Sequence, residues 1–586
     1  MNAAARKRLR VLSWSVRIAT AAILFQTLFF KFTGAEESVY IFTTLGMEPW
    51  GRIGSGIAEL VCCGLLLWPT TVTLGAGLTL AVISGALVSH LTRLGLEVQG
   101  DGGLLFALAV GVFLGALGLV WIHRAEIPFF GHRFIDRTGP RPEPKYRVLV
   151  LGGGFGGVYT ALELERQLEF RDDVRVTLVN RENFFLFTPM LHEVAASDLD
   201  LTNIVSPIRK LLARTDFFEG EAVAVDLGKK TARLRHGDGH EHDVAWDQLV
   251  LAPGSVTNFF GLPGLEEHAL TMKSLADAMQ LRNRMIQHLE QADTECACAE
   301  RAPLLTFVVA GGGFAGVETI GGMNDFLRAA LPWYGNLAAA DLKLVLVHPG
   351  ELLLPELGPE LGRYAQEKLA ERGVDIRTGV RVRGVGPAGV ELSDGTTVAA
   401  RTLVWTAGTS PHPLLATLPA AKERGRLRVE PTLAVSSHPG VWALGDAAAI
   451  PDGKGSFHPP TAQHALREAR TLARNLLATL DGRPLAPFRF TTLGQLAAIG
   501  RRAGVARIAG RNISGFVAWW LWRTIYLAKL PRLEKKLRCM LDWTLDLFFS
   551  KDLVQFLGSA ASKPAPSALE KAPSARGQAE EAVSRA

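Results

Sequence analysis

Val148-Leu149-Val150-Leu151-Gly152-Gly153-Gly154-Phe155-Gly156-Gly157 is the stretch whose reading decides the fold. A short apolar run ends in a G-x-G-x-x-G turn. An amphipathic segment follows, with Val158, Ala161, Leu162 and Leu168 on one face. Glycine permits the tight turn, lets the backbone approach a pyrophosphate and lets helix pack close to strand. The helix N-terminus then offers free N–H groups and a positive dipole end to the anion. The arrangement recurs where Phe307-Val308-Val309-Ala310 leads into Gly311-Gly312-Gly313-Phe314-Ala315-Gly316. One such loop is weak evidence. Two, each between a strand and a helix, imply two dinucleotide sites, most simply one flavin and one nicotinamide.

The chain has 586 residues, 48% of them hydrophobic, and a net charge of +6. That length predicts three or more domains. The five cysteines are Cys62, Cys63, Cys296, Cys298 and Cys539. They make no disulfide framework and have no metal-ligand spacing. Cys296-Ala-Cys298 sits in a polar stretch that reads as a surface loop with incidental thiols, a redox role being the alternative. The basic clusters flank apolar segments, so they point to a membrane surface and away from nucleic acid.

Four apolar stretches occupy residues 11–122, near Leu12–Phe32, Ile53–Thr70, Thr71–His90 and Leu104–Ile122. Each has roughly the 20 residues needed to cross a hydrocarbon core. Four in succession argue against a signal peptide. Arg6-Lys7-Arg8-Leu9-Arg10 precedes the first run, and Arg124, Arg133, Arg137, Arg141, Lys145 and Arg147 follow the last. The positive-inside rule puts both ends of the bundle, and everything after residue 123, in the cytoplasm. Arg17, Lys31, Glu59 and His90 are costly inside such segments. Glu59 is expected either to pair with a basic group or to serve a ligand. Arg17, the Lys31-Phe-Thr-Gly34 end of the first run and Glu59 opening a Leu-rich second run resemble DoxX-like membrane proteins.

The remaining organisation follows from composition. Residues 123–145 read as a linker rich in charge and proline. Residues 146–500 alternate strand-like and helix-like segments, as an α/β domain does. We assign 146–305 with 409–500 to the flavin and 306–408 to NAD(P)H. Residues 501–556 form a C-terminal membrane-associated region, and 557–586 a disordered tail. In the C-terminal region Phe516, Val517, Trp519, Trp520, Leu521, Trp522, Ile525, Tyr526 and Leu527 interleave with Arg523 and Lys529. Trp543, Leu547, Phe548 and Phe549 come after a basic run. Aromatic and basic residues together suit helices lying in a membrane interface. A helical dimer interface is the alternative.

Chemistry-bearing positions cluster at strand ends. Val174–Val179 ends at Asn180, where an Asp or Glu usually accepts from a ribose hydroxyl. The Asn180 carbonyl can still accept one bond, and Glu182 is a substitute. Asp446 follows Val441-Trp-Ala-Leu-Gly445, where a carboxylate can reach the ribityl chain of a flavin. In the second half Glu318 lies two residues past Gly316, and Leu344–Val347 ends at His348. Without an acid at His348, discrimination between NADH and NADPH is expected to weaken.

From residue 146 to 550 the chain resembles type II NADH:quinone oxidoreductases, single-subunit NADH dehydrogenases that do not pump protons. The resemblance rests on Leu186-Phe-Thr-Pro189-Met-Leu191, Leu249-Val-Leu-Ala-Pro253-Gly254, Gly311 to Glu318, and Val404-Trp-Thr-Ala407-Gly408. Ala443-Leu-Gly-Asp446, Pro459-Pro-Thr-Ala-Gln463, Gly494–Gly500 and Ser514–Trp519 continue it in the family's order. It implies a tandem Rossmann flavoprotein behind the four-helix transmembrane bundle. FAD would be held by Gly152, Gly154, Phe155, Gly156, Gly157, Asn180, Val223, Ala252, Gly254, Asp446, Ala447 and Gln463. NADH or NADPH would be held by Gly311, Gly313, Phe314, Ala315, Gly316, Glu318, His348 and Gly408. Glu318 and Gln463 would be the catalytic positions, Gln463 lying where a lipid quinone arrives. Two positions depart from the family's pattern: Arg467 stands in place of a second Gln, and Thr492 in place of a Lys. With the four apolar runs and their basic ends, the whole chain is expected to be a multi-pass protein of the cytoplasmic membrane that meets quinone and membrane lipids, needs no metal, and has a homodimer as an open state. The rival readings are a sulfide:quinone oxidoreductase, which needs cysteines beside the flavin, and a non-enzymatic membrane redox sensor.

Overall fold

The computed structural model describes residues 3–69, 71–127 and 143–555. The expected linker lies outside them over 128–142, as does the tail from 556 onward. The chain divides into two compact units. One comprises the residues before Tyr146 together with Glu165–Val174; the other holds the rest.

The first unit is helical. Helices Ala3–Thr33, Trp50–Leu67, Val72–Ser89 and Leu104–Ile122 correspond to the four apolar runs. The third continues through a widened π-type turn, His90–Leu94. Among the described residues four helices are long and apolar enough to cross a membrane. The first connection contains a further helix, Glu36–Thr44. Glu36 and Glu37 in its first turn complement the helix dipole. Small residues bring the long helices together: a side chain at Gly75 would strike the backbone of Leu65 and Leu66. Leu24, Cys62, Cys63, Leu66, Ala76, Val112 and Leu119 form the core, while Phe25, Phe29, Leu114 and Trp121 face outward. Apolar side chains therefore cover both the inside and the outside of the bundle.

Glu59 inside this unit is paired. Lys31 Nζ lies 2.6 Å from Glu59 Oε1, and Thr27 Oγ1 donates to Glu59 Oε2 at 2.8 Å. The Glu59 expectation thus resolves to a buried ion pair. Arg17 Nη2 approaches His123 Nε2 at 2.9 Å, and Ser13 Oγ shares that nitrogen at 2.8 Å. His90 Nδ1 meets the Gly95 carbonyl at 2.9 Å.

The second unit is built on two five-stranded parallel sheets. In the first, the order is Val441–Ala443, Gln248–Leu251, Tyr146–Leu151, Val174–Asn180, Asp216–Glu219. In the second it is Leu270–Thr271, Thr402–Trp405, Thr306–Ala310, Lys343–His348, Val374–Thr378. Their central strands are buried and read as unbroken apolar runs, because helices and loops cover both faces. The chain passes between the halves through Ser255–Thr257 and Thr409–Pro411, which pair antiparallel. An antiparallel sheet of Gly494–Gly500, Ala503–Ile508 and Arg511–Ser514 leads into helices Gly515–Lys529 and Leu533–Leu545.

The C-terminal helices have two faces, which corrects the reading of all their aromatics as an anchor. Phe516, Val517, Trp520, Leu537, Leu541, Phe548 and Phe549 are exposed. Trp522 and Trp543 point inward and are buried. Each inward indole finds an acceptor, as a buried N–H requires.

Replacing Glu59 by Ala is expected to destabilise the helical unit by about 3 kcal/mol, because it strands the Lys31 ammonium. The double change Glu59→Ala with Lys31→Met should cost less than Glu59→Ala alone. Thermal unfolding of the full chain in detergent, run as a double-mutant cycle, measures the difference.

Candidate active site

A cavity of about 910 Å³ lies beside the first glycine loop in the second unit. Gly152 has φ +111°, and a side chain there would collide with the Ala252 carbonyl. Gly157 packs its α-carbon on the Gly152 carbonyl. Gly154 lines the cavity with no atom within 4 Å of where a Cβ would stand. The loop is therefore closed on its protein side and open on its cavity side. The second loop repeats this: Gly311 has φ +116°, Gly316 packs on the Gly311 carbonyl, and Gly313 is open. The helices Phe155–Gln167 and Phe314–Ala330 begin at these loops.

The residue ending the second strand of each half does the same local job. The Gly153 N–H donates to Asn180 Oδ1 at 2.8 Å, and the Gly312 N–H donates to His348 Nδ1 at 3.1 Å. Asn180 Nδ2 donates to the Glu182 carbonyl at 2.8 Å. Both Asn180 groups thus serve the loop, and Glu182 is the carboxylate on the cavity wall there. His348 accepts at Nδ1 and is the neutral tautomer; burial also pushes its pKa below the usual value.

Asp446 sits at the C-terminal end of its strand, on the cavity wall. Its Oδ2 accepts from Ser255 Oγ at 2.5 Å, and Lys273 Nζ donates to the same hydroxyl at 2.6 Å. Ser255 and Lys273 line the cavity too, and burial lowers the Lys273 pKa against the opposing pull of Asp446. The preceding Gly445 N–H donates to buried Glu468 at 2.7 Å, whose pKa burial pushes up to about 7.

Gln463, Glu318, His192, Tyr526 and Lys529 also line the cavity. Gln463 Nε2 donates to the Gly494 carbonyl and its Oε1 accepts from the Leu493 N–H, both at 3.1 Å, so its amide has one fixed orientation. Arg467 Nη1 donates to the Gln463 carbonyl at 2.8 Å and its guanidinium lies 4.2 Å from the Phe490 ring centroid. Thr492 is on the cavity wall. Glu318 lies one turn into the helix that the second loop opens. Its Oε1 accepts from Trp522 Nε1 at 2.9 Å and from the Ala498 N–H at 3.3 Å. Burial pushes its pKa up to about 8, so the carboxyl is protonated near neutrality. Next to it, His192 is buried and held neutral, its pKa about 3. Glu193 accepts from Trp543 Nε1 at 2.9 Å and lies 3.4 Å from Arg523.

Of the positions singled out in the sequence, the cavity wall contains Gly152, Gly154, Phe155, Gly156, Asn180, Ala252, Gly254, Asp446, Gln463, Phe314, Ala315, Glu318 and Gly408. Gly157, Val223, Ala447, Gly311, Gly313, Gly316 and His348 lie off it. Gly157 and Gly316 are off it because they close their loops from behind. Ser255, Lys273 and His192 on the cavity wall escaped sequence reasoning, and Trp522, read there as part of a membrane-interface stretch, instead donates to Glu318. No cysteine lines the cavity, and Cys296 and Cys298 are exposed beside the short helix Cys298–Leu304, so the sulfide-oxidising reading lacks its thiols.

Asp446→Ala is expected to weaken FAD retention roughly 10- to 100-fold, the worth of one charge-assisted hydrogen bond. Flavin content after gel filtration, and fluorescence titration of the stripped protein, measure it.

Comparison with known proteins agrees with this geometry. The family model of pyridine nucleotide-disulphide oxidoreductases matches residues 146–469, and that of the NDH2 C-terminal domain matches 493–552. The chain is 32% identical over 422 residues to the type II NADH:quinone oxidoreductase Ndh of Mycobacterium tuberculosis, covering 69% of this chain and 89% of that one. It is 32% identical over 414 residues to the demethylphylloquinone reductase NdbB of Synechocystis, covering 69% and 96%. The structure of NDH2 from Plasmodium falciparum in complex with NADH superposes with a TM-score of 0.65 at 19% identity, over 70% of this chain and all of that one. Two glycine loops and a matched C-terminal sheet and helices thus agree with the sequence relatives: the chain belongs to the type II NADH:quinone oxidoreductases.

Proposed function

We infer that this chain carries two electrons from NADH through FAD to a lipid quinone, without pumping protons. The observation that carries this is one cavity whose wall holds an open glycine loop, Asp446, Gln463 and Glu318 together. The residues fit FAD. Gly154 leaves room for a pyrophosphate at a helix N-terminus. Asp446, set by Ser255, suits the ribityl hydroxyls. Gly152, Gly156, Gly157, Ala252 and Gly254 supply close backbone approach. When bound there, FAD would supply the two-electron redox chemistry that links NADH to quinone.

The protein's own groups do the rest. Gly311, Gly313 and Gly316 shape the loop for the nicotinamide dinucleotide, and residues 306–408 form its domain. Gln463 presents a fixed amide to the ring system. Glu318 holds a proton in the cavity at neutral pH, and reduction of a quinone to a quinol consumes protons. Tyr526 and Lys529 bring the C-terminal helix to the same place.

We also propose a membrane setting. The exposed apolar face of the C-terminal helices, with Lys529, Arg532, Lys536 and Arg538 near it, suits an anionic lipid surface. The four N-terminal helices suit a DoxX-like multi-pass bundle. Its basic ends favour a cytoplasmic position for the catalytic unit. The same exposed face would support a homodimer if lipid does not cover it.

The deciding experiment is a visible spectrum of the detergent-purified chain. NADH should bleach a flavin band, and a short-chain quinone should restore it. A colourless protein, or a band insensitive to NADH, overturns the reading.

The pH dependence follows from Glu318. Its carboxyl is neutral below about pH 8 and charged above it. Quinone turnover is expected to fall as pH rises through 8, and Glu318→Gln should flatten that limb in stopped-flow oxidation of the reduced protein. The group's folded pKa lies above its unfolded one, so the stability tied to its proton is complete below the unfolded value and lost as pH rises towards 8. Melting temperatures at each pH therefore accompany the rates.

Because His348 is neutral and no acid takes its place, measurable NADPH oxidation is expected. His348→Asp should favour NADH by adding a charge against the 2′-phosphate. The ratio of kcat/KM for the two coenzymes tests this.

A further inference from the structure

A small antiparallel sheet in the second unit consists of Glu221–Asp226, Thr231–Arg235 and Glu241–Ala245. The turn joining its last two strands reads His236-Gly-Asp-Gly-His240-Glu-His242. The turn is tied by its backbone. The His236 N–H donates to the His240 carbonyl at 2.8 Å, the His240 N–H donates to Asp238 Oδ1 at 3.0 Å, and Gly239 has φ +89°. This brings three imidazoles together. Ring centroids lie 5.0 Å apart for His236 and His242, 5.6 Å for His236 and His240, and 6.2 Å for His240 and His242. The Phe218 ring packs against His236 and His242 at 4.6 and 5.2 Å, holding those two rings in place. His240 is exposed.

Spacing decides what such a group can hold. Zn²⁺ binds imidazole nitrogen at about 2.0–2.1 Å, so two nitrogens on one tetrahedral ion stand roughly 3.3 Å apart. His236 Nε2 and His242 Nδ1 are 3.1 Å apart. A hydrogen bond between two imidazoles explains that distance alone; it does not explain a third imidazole on the same turn. The flanking acids are engaged elsewhere: Glu241 pairs with Arg235 at 2.7 Å and Asp243 with Arg233 at 2.9 Å. Nitrogen is thus the ligand type on offer, and imidazole sets suit Zn²⁺, Cu²⁺ and Ni²⁺. Among the described residues no three metal-binding side chains already converge. Completion requires the exposed His240 side chain to rotate onto the His236–His242 pair.

We propose that His236, His240 and His242 bind one divalent transition-metal ion that prefers imidazole. The ion would clamp the hairpin tip onto Phe218. Gly220, Glu221 and Ala222, which follow Phe218 within four residues, line the cavity. Binding is therefore expected to stiffen that wall, with the redox chemistry needing no metal of its own.

The full chain, purified without a polyhistidine tag and dialysed against chelator, is titrated with ZnCl₂ in a calorimeter and with CuCl₂ by electron paramagnetic resonance. One equivalent of Zn²⁺ should bind, Cu²⁺ should show coupling to two or more nitrogens, and mild acid should release both, because protons compete for the ligand nitrogens. The double change His236→Asn with His242→Asn should weaken binding at least about tenfold, since even outer-shell losses cost that much. Its FAD content should stay as in the unmodified chain, which shows that the fold survives. His240→Asn alone should weaken binding and leave the hairpin pair intact. No stoichiometric binding, or unchanged affinity in the double variant, overturns the site. Unchanged affinity in His240→Asn overturns the three-ligand assignment.

Discussion

The carbonyl oxygen of Gly152 lies where a side chain on Gly157 would have to be. The same holds for Gly311 and Gly316. This contact lets each helix begin against the end of its strand, so that its N-terminus is presented at the loop. Everything chemical in the second unit hangs from it. The first helix fixes Phe155 and Gly156 on the cavity wall. The second carries Phe314, Ala315 and Glu318 there. Any Cβ at Gly157 or Gly316 would push helix from strand and spread the site apart.

A second theme is the management of charge away from water. Burial of Glu318, Glu193 and Glu468 favours their neutral forms, and each still accepts a hydrogen bond from an indole or a backbone N–H. An unpaired carboxylate at these places would be costly. A carboxyl that titrates near neutrality instead becomes usable for proton transfer. In the helical unit the solution differs: Glu59 is matched by the Lys31 ammonium and the Thr27 hydroxyl.

What the sequence revealed was what local chemistry writes locally. Glycine spacing after an apolar run, four apolar helices of membrane length and an acid at the end of a buried strand all lie within short windows. The partners of those residues do not. Ser255 and Asp446 are separated by 191 positions, and Glu318 and Trp522 by 204. No periodicity joins such pairs; only the folded sheet order brings them together. The C-terminal aromatics illustrate the limit. Composition marks the stretch as an interface, yet cannot tell Trp520, which faces out, from Trp522, which is buried against a carboxyl. The Glu36–Thr44 helix was missed for a related reason, being too short for periodicity to separate it from a loop.

The helix Gly515–Lys529 joins two surroundings within one cylinder. Phe516 and Trp520 are bare on one side, while Trp522 reaches Glu318 on the other. The segment beyond it adds Trp543 on Glu193 and Lys551 on Asp546 and Asp198. The carboxy-terminal end is thus not a detachable tether. A protease that clipped the chain after residue 514 would remove that exposed face, and in the same cut would take the indole donor from Glu318 and a tyrosine and a lysine from the cavity wall. The remnant would keep its dinucleotide loops and lose the wall beside Glu318. The same fifteen residues thus carry both an exposed apolar face and part of the cavity wall.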